Sequence, residues 1–316
     1  MKLQQLRYAL EVYRHNLNVS EAADALFTSQ PGISKQIRLL EEELGIQIFI
    51  RSGKRVVSVS QPGKAVLEIS ERILRDVQNI KNIGSEFTDH DSGSLTIATT
   101  HTQARYALPK IVAEFVKNYP KVNLTIKQGS PSAIAQMVSS GEADLAIITE
   151  RIDDHPELGK LPCYEWNHAV IVPHDHPLLD CRNPLSLEDL ASFPLVTYEF
   201  AFNSGSSIAR TFNKAHIEQP DVALSAADTD VLKTYVRLGL GVGLMAKMAY
   251  DPVVDQDLQL IDAAHLFEPS PTWIALRTDT YLRGYAYNFI QMFAPKLTRE
   301  AVDRILYTPV VEDFSI

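Results

Sequence analysis

The chain of 316 residues has two cysteines, Cys163 and Cys181. Two thiols cannot build the disulfide framework that staples small secreted domains, and both read as small buried or surface thiols. Long apolar runs are absent as well. No stretch reaches the roughly 18 residues that a membrane span needs, and a polar amphipathic segment stands where a signal peptide would be. A cytoplasmic protein without membrane contact is expected. The short strings that carry chemistry are also missing: there is no Gly-x-Ser-x-Gly elbow, Walker loop or His-Glu-x-x-His helix. No catalytic residue, metal or cofactor is therefore implied, and an enzyme is not expected. Two weaker strings mislead. Gly239-Leu-Gly241-Val-Gly243 follows a helical pattern and leads into a strand. That order is the reverse of the one that places pyrophosphate at a helix N-terminus, so it reads as a helix C-cap and tight turn. His174-Asp-His176-Pro lies in a proline-flanked loop without matching ligands elsewhere and reads as solvated loop.

Charge is plentiful but uneven. The net charge is −9, which taken whole argues against a nucleic-acid partner. Residues 1–60 nevertheless hold eight Lys or Arg and six Asp or Glu, net +2, leaving 22 and 33 in the remainder, net −11. An acidic body and a mildly basic head follow, with the head free to approach phosphate.

The head has the most specific pattern in the chain. Asn18 can cap a helix, with Glu21 completing a capping box, and Ala22-Ala23 leaves room for a close helix crossing. Ser29 can cap a second helix, with Pro31 in its first turn, where a missing N–H costs nothing. Ile33, Ile37 and Leu40 recur at i, i+4 and i+7 and bury one face. Ser29, Gln30, Pro31, Ser34, Lys35 and Arg38 are left elsewhere. Gln and Arg suit bidentate contacts to base edges, Ser suits either, and Lys neutralises phosphate. Residues 19–38 thus read as a helix-turn-helix. Residues 44–60 alternate apolar and polar around Ser52-Gly53-Lys54, a β-hairpin wing with Arg51, Lys54 and Arg55 at its tip. Gln61-Pro62-Gly63 then opens a helix to about residue 88. Its apolar face, Val66, Ile69, Ile73, Val77 and Ile80 widened by Ala65, Leu74 and Ile83, is too long for a small domain to cover and implies a second chain.

Residues 1 to about 90 resemble the DNA-binding domain and linker helix of LysR-type transcriptional regulators. The resemblance is carried by Met1-Lys-Leu-Gln-Gln-Leu-Arg-Tyr, Ala22-Ala23, Ser29-Gln-Pro-Gly-Ile-Ser-Lys-Gln-Ile-Arg38, Leu40-Glu41 and Leu44-Gly45. Ile97-Ala-Thr-Thr-His-Thr-Gln-Ala-Arg-Tyr-Ala-Leu-Pro109 and Thr234-Tyr-Val-Arg-Leu-Gly-Leu-Gly-Val-Gly243 extend it to the CysB/Cbl branch, regulators of bacterial sulfur assimilation.

Beyond the linker, strand and helix signals alternate as βαβαβ, with strands near 95–99, 122–128 and 143–149 and helices over 104–108, 109–118 and 132–140. A parallel sheet is expected. A second unit runs from about 164 to 261. The chain then returns to the first, with a strand near 273–276 and a long last helix over 281–297. The resulting fold class is an N-terminal winged helix-turn-helix, a long linker helix and a two-lobed α/β effector domain of periplasmic-binding-protein type. The domains are 1–60, 61–90 and 91–316, with lobe I at about 91–163 and 267–316 and lobe II at about 164–266.

Ligands of open parallel sheets gather beyond the carboxyl ends of the strands, here marked by Thr99-Thr-His-Thr-Gln103, Gln128-Gly-Ser130 and Thr149. Hydroxyls, an amide and helix starts suit a small anion held by neutral donors, although caps and turns use the same residues. The resemblance implies that Thr100, Thr102, Gln103 and Thr149 line an effector pocket, and Ser130 joins them by position. A fifth matching position falls at Asn203, in a loop that departs from the CysB pattern and lacks its nearby Arg. The implied protein is a transcriptional activator of sulfur-assimilation, cysteine-biosynthesis or sulfonate-utilisation genes. Its partners would be double-stranded promoter DNA, RNA polymerase, further copies in a homodimer or homotetramer, and an effector of the sulfate, O-acetylserine or adenosine phosphosulfate class. The alternatives are a LysR-type regulator of another pathway and an α/β solute-binding or enzymatic protein.

Overall fold

The computed structural model describes residues 1–53, 55–88, 90–149, 155–180, 184–203, 206–217, 220–278 and 280–307. Lys54 and Cys181 fall outside them. The chain divides into two compact units, residues 1–88 and 89–316.

The first unit packs α1 (Leu3–Arg14), α2 (Val19–Ala25) and α3 (Gln30–Leu44) beside the hairpin β1 (Phe49–Ser52) and β2 (Arg55–Val59), and continues into α4 (Gln61–Thr88). Ile33, Ile37 and Leu40 of α3 join Leu6, Ala9, Val12, Ala22 and Ala23 in one core. Small residues at 22 and 23 let α2 and α3 approach closely. Gly63 serves a similar end, because a Cβ there would lie 2.1 Å from the Ile48 carbonyl oxygen. Only the start of the apolar face of α4 is covered: Val66, Ile73 and Leu74 pack on the core, while Ile69, Ile80, Ile83 and Phe87 are exposed.

The second unit contains two five-stranded sheets. The first is built from β3 (Ser92–Thr99), α5 (Pro109–Asn118), β4 (Lys121–Gln128), α6 (Pro131–Ser139), β5 (Leu145–Ile148) and β6 (Leu158–Trp166). The second follows with β7 (His168–Pro173), α7 (Leu187–Ala191), β8 (Leu195–Tyr198), α8 (Ser207–Lys214), β9 (Val222–Ala226), α9 (Thr229–Arg237), β10 (Val242–Ala246) and β11 (Leu258–Asp262). The chain returns to the first sheet with β12 (Ser270–Arg277), then α10 (Gly284–Phe293) and α11 (Arg299–Tyr307). Strand orders are β4-β3-β5-β12-β6 and β11-β7-β10-β8-β9. The first crossing between lobes falls at Asn167, between β6 and β7.

Three expectations are corrected. The expected parallel order holds for β4-β3-β5, but each sheet as a whole is mixed, because β12 runs antiparallel to β5 and β6, and β7 antiparallel to β10 and β11. The last helix ends at Phe293, just before Pro295, and a second helix follows it. The segment after β3 is a π-turn over Gln103–Ala107, closed by the Leu108 N–H on the Gln103 carbonyl at 3.0 Å, not an α-helix. Such turns concentrate at functional sites.

Candidate nucleic-acid interface and effector cavity

In the head, the Asn18 side-chain oxygen accepts from the Ser20 and Glu21 N–H groups at 3.1 and 3.3 Å. The Glu21 carboxylate takes its bond from the Asn18 side-chain amide at 2.6 Å, not from the Asn18 backbone as a capping box would have it. Ser29 caps α3 by accepting from Gly32 N–H at 3.3 Å. Gln30, Pro31, Lys35 and Arg38 are exposed, Ser29 stands exposed at the start of α3, and Ser34 is partly covered, accepting from Gln30 Nε2 at 3.3 Å. One aromatic ring was not anticipated: Phe27, in the turn between α2 and α3, is 98% exposed and held at φ +51°. Arg51 is also placed differently from a free wing-tip cation. Its guanidinium lies 2.9 Å from Glu41, whose carboxylate also accepts the Ile48 and Phe49 N–H groups at 2.8 and 3.0 Å. This buried carboxylate ties α3 to the wing, and Arg51 is its countercharge.

In the body, a narrow cavity lies between the two lobes. From lobe I, Thr100, Thr102 and Gln103 follow the end of β3, and Thr149 follows the end of β5. From lobe II come Tyr198 at the end of β8, Ala246 at the end of β10, and Ser206, Ser207 and Ile208 at the start of α8. The strands of both lobes thus aim their carboxyl ends at one space. Each lobe also fastens its strand end the same way, through Thr99 Oγ1 to the Ile147 carbonyl at 3.0 Å and Thr197 Oγ1 to the Leu244 carbonyl at 2.9 Å.

Hydroxyls bridge the lobes beside this space. Thr102 Oγ1 lies 3.0 Å from Thr229 Oγ1, which lies 3.0 Å from Tyr198 OH. Gln103 accepts from Tyr164 OH at 2.5 Å, and its amide nitrogen has a distant sulfur contact to Met248 at 4.0 Å. Ser130 and Asn203 are not among the lining residues. Ser130 is exposed and caps α6 through the Ala133 N–H at 3.4 Å. Asn203 is exposed in a turn in which its own N–H donates to the Phe200 carbonyl at 3.1 Å. Sequence reasoning missed the aromatic part of the lining, Trp166, His168, Tyr198 and Phe200, since such residues read as ordinary core. Tyr198 and Phe200 stack at 5.2 Å with 4° between planes.

A charged network continues the contact between lobes. Tyr106 OH donates to Asp230 at 2.5 Å, and Arg105 pairs with the other Asp230 oxygen at 2.7 Å. Burial would raise the Asp230 carboxyl, but the Tyr106 hydrogen bond and the Arg105 and Lys233 charges outweigh it and hold it below the usual carboxylate range. Behind it, buried Lys233 reaches Asp255 at 2.6 Å, and Arg237 takes the other Asp255 oxygen at 2.8 Å. His101, Asp228 and Asp230 cluster as metal ligands would. Three of the four carboxylate oxygens already have a protein donor, the Asp230 N–H for Asp228 and Tyr106 and Arg105 for Asp230, and His101 Nε2 lies 3.1 Å from the fourth. The cluster is a latch. The remaining strings are structural too. Gly239 sits at φ +75° after α9, His174 contacts the Gln256 carbonyl at 2.7 Å, and His176 accepts from Leu178 N–H at 3.1 Å. Burial pushes the Cys163 thiol up to about 11, which leaves it unreactive.

Comparison with known proteins agrees with this geometry. Residues 3–64 match the family described as bacterial regulatory helix-turn-helix protein, lysR family, and residues 88–298 match the LysR substrate binding domain. The chain is 50% identical over 306 residues to the HTH-type transcriptional regulator SsuR of Burkholderia cenocepacia, covering 97% of this chain and 99% of that one. It is 51% identical over 304 residues to the HTH-type transcriptional regulator CysB of Haemophilus influenzae, covering 96% and 93%. Among solved structures, the cofactor-binding domain of the Cbl transcriptional regulator superposes with a TM-score of 0.63 at 39% identity, covering 69% of this chain and 95% of that one. No helix among the described residues is long and apolar enough to cross a membrane.

Proposed function

Because the chain belongs to the LysR family of bacterial helix-turn-helix regulators, and within it to the CysB, SsuR and Cbl type, we propose that it acts in the cytoplasm as an activator of sulfur-assimilation, cysteine-biosynthesis or sulfonate-utilisation genes. The head binds promoter DNA with Gln30, Ser34, Lys35 and Arg38 at base edges and phosphates, while Ser29 and Pro31 set the start of the reading helix. The uncovered apolar residues of α4 support a homodimer, and pairing of effector domains makes a tetramer. Two reading helices then meet half-sites about one DNA turn apart or a multiple of it. Effector binding alters the contact with RNA polymerase or the DNA bend.

The observation that carries the effector reading is the cavity, lined from both lobes by hydroxyls and an amide, with no Lys, Arg, Asp or Glu among its described lining residues. Such a lining suits a small sulfur-pathway anion or an acetylated amino acid, held by hydrogen-bond geometry and helix starts rather than by a Lys or Arg countercharge. Gel-shift titration of promoter DNA with the full chain, with and without sulfate, O-acetylserine or adenosine phosphosulfate, tests this. A change in affinity or complex mobility with one of the three is expected. No change with any of them would move the protein to a different pathway, and no DNA binding at all would overturn the regulator reading.

A further inference from the structure

Where the chain crosses from one lobe to the other, the cavity is lined by polar groups that the protein itself does not satisfy. His168 is 3% exposed, and its Nδ1 has no hydrogen-bond partner. The ring is held between Trp166 at 4.7 Å and Phe267 at 5.3 Å. The Trp166 indole Nε1 beside it is likewise buried without a partner. Buried polar atoms in native proteins are nearly always paired, so two orphans on neighbouring rings lining one cavity point to something that enters it. The indole N–H only donates, so the atom it meets must be an acceptor. The start of α8 lines the same cavity and presents the positive end of its backbone dipole there.

Among the described lining residues, His168 is also the one that can become cationic near neutral pH. Resting on the reading of this cavity as the effector site, we propose that His168, with Trp166 beside it, holds an oxyanion group of the effector, a sulfate or carboxylate oxygen, and takes up a proton from solvent as that group binds.

In the free protein burial keeps the ring neutral, pushed down to about 4. Among the described residues, the elements packed against it supply no free countercharge. Lys247, just after β10, and Asp262, at the end of β11, are paired with one another at 2.5 Å. Glu165 on β6 is exposed, Tyr198 on β8 is engaged with Thr229, and the adjoining Trp166 and Phe267 rings are uncharged. An oxyanion against the imidazole provides the missing charge and raises its proton affinity, so ligand and proton bind together.

The test is calorimetric titration of the full chain with sulfate from pH 8 to pH 5.5, a range in which sulfate does not change charge. The wild-type affinity is expected to rise on acidification by up to about tenfold per pH unit while the bound ring titrates, with proton uptake visible as buffer-dependent heat. His168→Gln keeps a polar side chain without a titrating ring and should bind more weakly, with a flat profile. Nitrogen NMR of the histidine ring supplies a readout that needs no variant: sulfate should move the His168 signals toward the doubly protonated form. A wild-type profile that is flat, or a slope kept in His168→Gln, overturns the proposal. If Thr100→Ala loses sulfate while His168→Gln keeps the wild-type slope, this inference falls and the cavity reading stands. If sulfate does not bind the wild type, this inference falls and the cavity reading passes to O-acetylserine and adenosine phosphosulfate; if sulfate binds but neither substitution affects it, it binds outside the cavity and this inference falls.

Discussion

Gln30, Lys35 and Arg38 stand exposed on a helix whose other face is packed, whereas Thr100, Gln103 and His168 are buried inside the body. The difference matches two kinds of partner. A long polyanion is met by side chains that stay solvated until contact, so removing one costs binding and little stability. A small ligand is met by polar groups that the fold has already desolvated, so changing one touches stability and binding together. Head and body should therefore separate under mutation.

The largest break should come in the body at Asp255, which is 1% exposed and is the acceptor for Lys233, itself 3% exposed. Asp255→Ala strands a buried ammonium and should destabilise the body by about 3–5 kcal/mol, read as a lowered melting temperature. Next comes acidification. The folded His168 value of about 4 lies below the usual 6.5, so the unfolded chain binds that proton more readily. The contribution is fully present above the unfolded value and is lost as pH falls from there toward 4, on the order of 3 kcal/mol in all. A melting profile of His168→Phe should lack that part of the acid loss, and an unchanged profile would contradict the burial argument. In the head, Arg38→Ala should cost about 1–3 kcal/mol in operator affinity, roughly tenfold or more, with sulfate binding intact. Coupled losses would blur the contrast between the two regions. The smallest effect concerns Phe27, exposed at φ +51°. Asn tolerates the left-handed region better, so Phe27→Asn should raise head stability by up to about 1 kcal/mol in chemical denaturation.

How much of this was legible follows the same contrast. The apolar period of Ile33, Ile37 and Leu40, with the caps Asn18 and Ser29, made α2 and α3 readable, and the hairpin followed from its turn. Period 2 identifies a strand without giving its direction, and so it sets neither β7 nor the returning β12 antiparallel to its neighbours. Strand β6 has Gly159 and Pro162 within it and a register shift opposite Thr272/Trp273, so its alternation is broken. Arg51 read as a free cation because Glu41 sits in the run Glu41-Glu42-Glu43, which looks solvated, and only the fold buries the first of the three. In the cavity, the lobe I residues follow strand ends that local patterns reveal. Trp166, His168, Tyr198 and Ser206 come from separate segments, and nothing local sets a lining aromatic apart from a core one.

The central claim is that the inter-lobe cavity binds a small anionic or acetylated effector through hydrogen-bond donors, without a Lys or Arg countercharge. Calorimetric melting of the full chain and of Thr100→Ala, each with sulfate, O-acetylserine or adenosine phosphosulfate, tests it most directly. One ligand, at about 100 times its dissociation constant, should stabilise the wild-type body by roughly 2.7 kcal/mol. Loss of a donor to a charged group is worth about 1.5–3 kcal/mol, so Thr100→Ala should bind roughly tenfold to a hundredfold more weakly and gain much less at the same concentration. Equal shifts in the two proteins, or no shift in either with any of the three ligands, would contradict it.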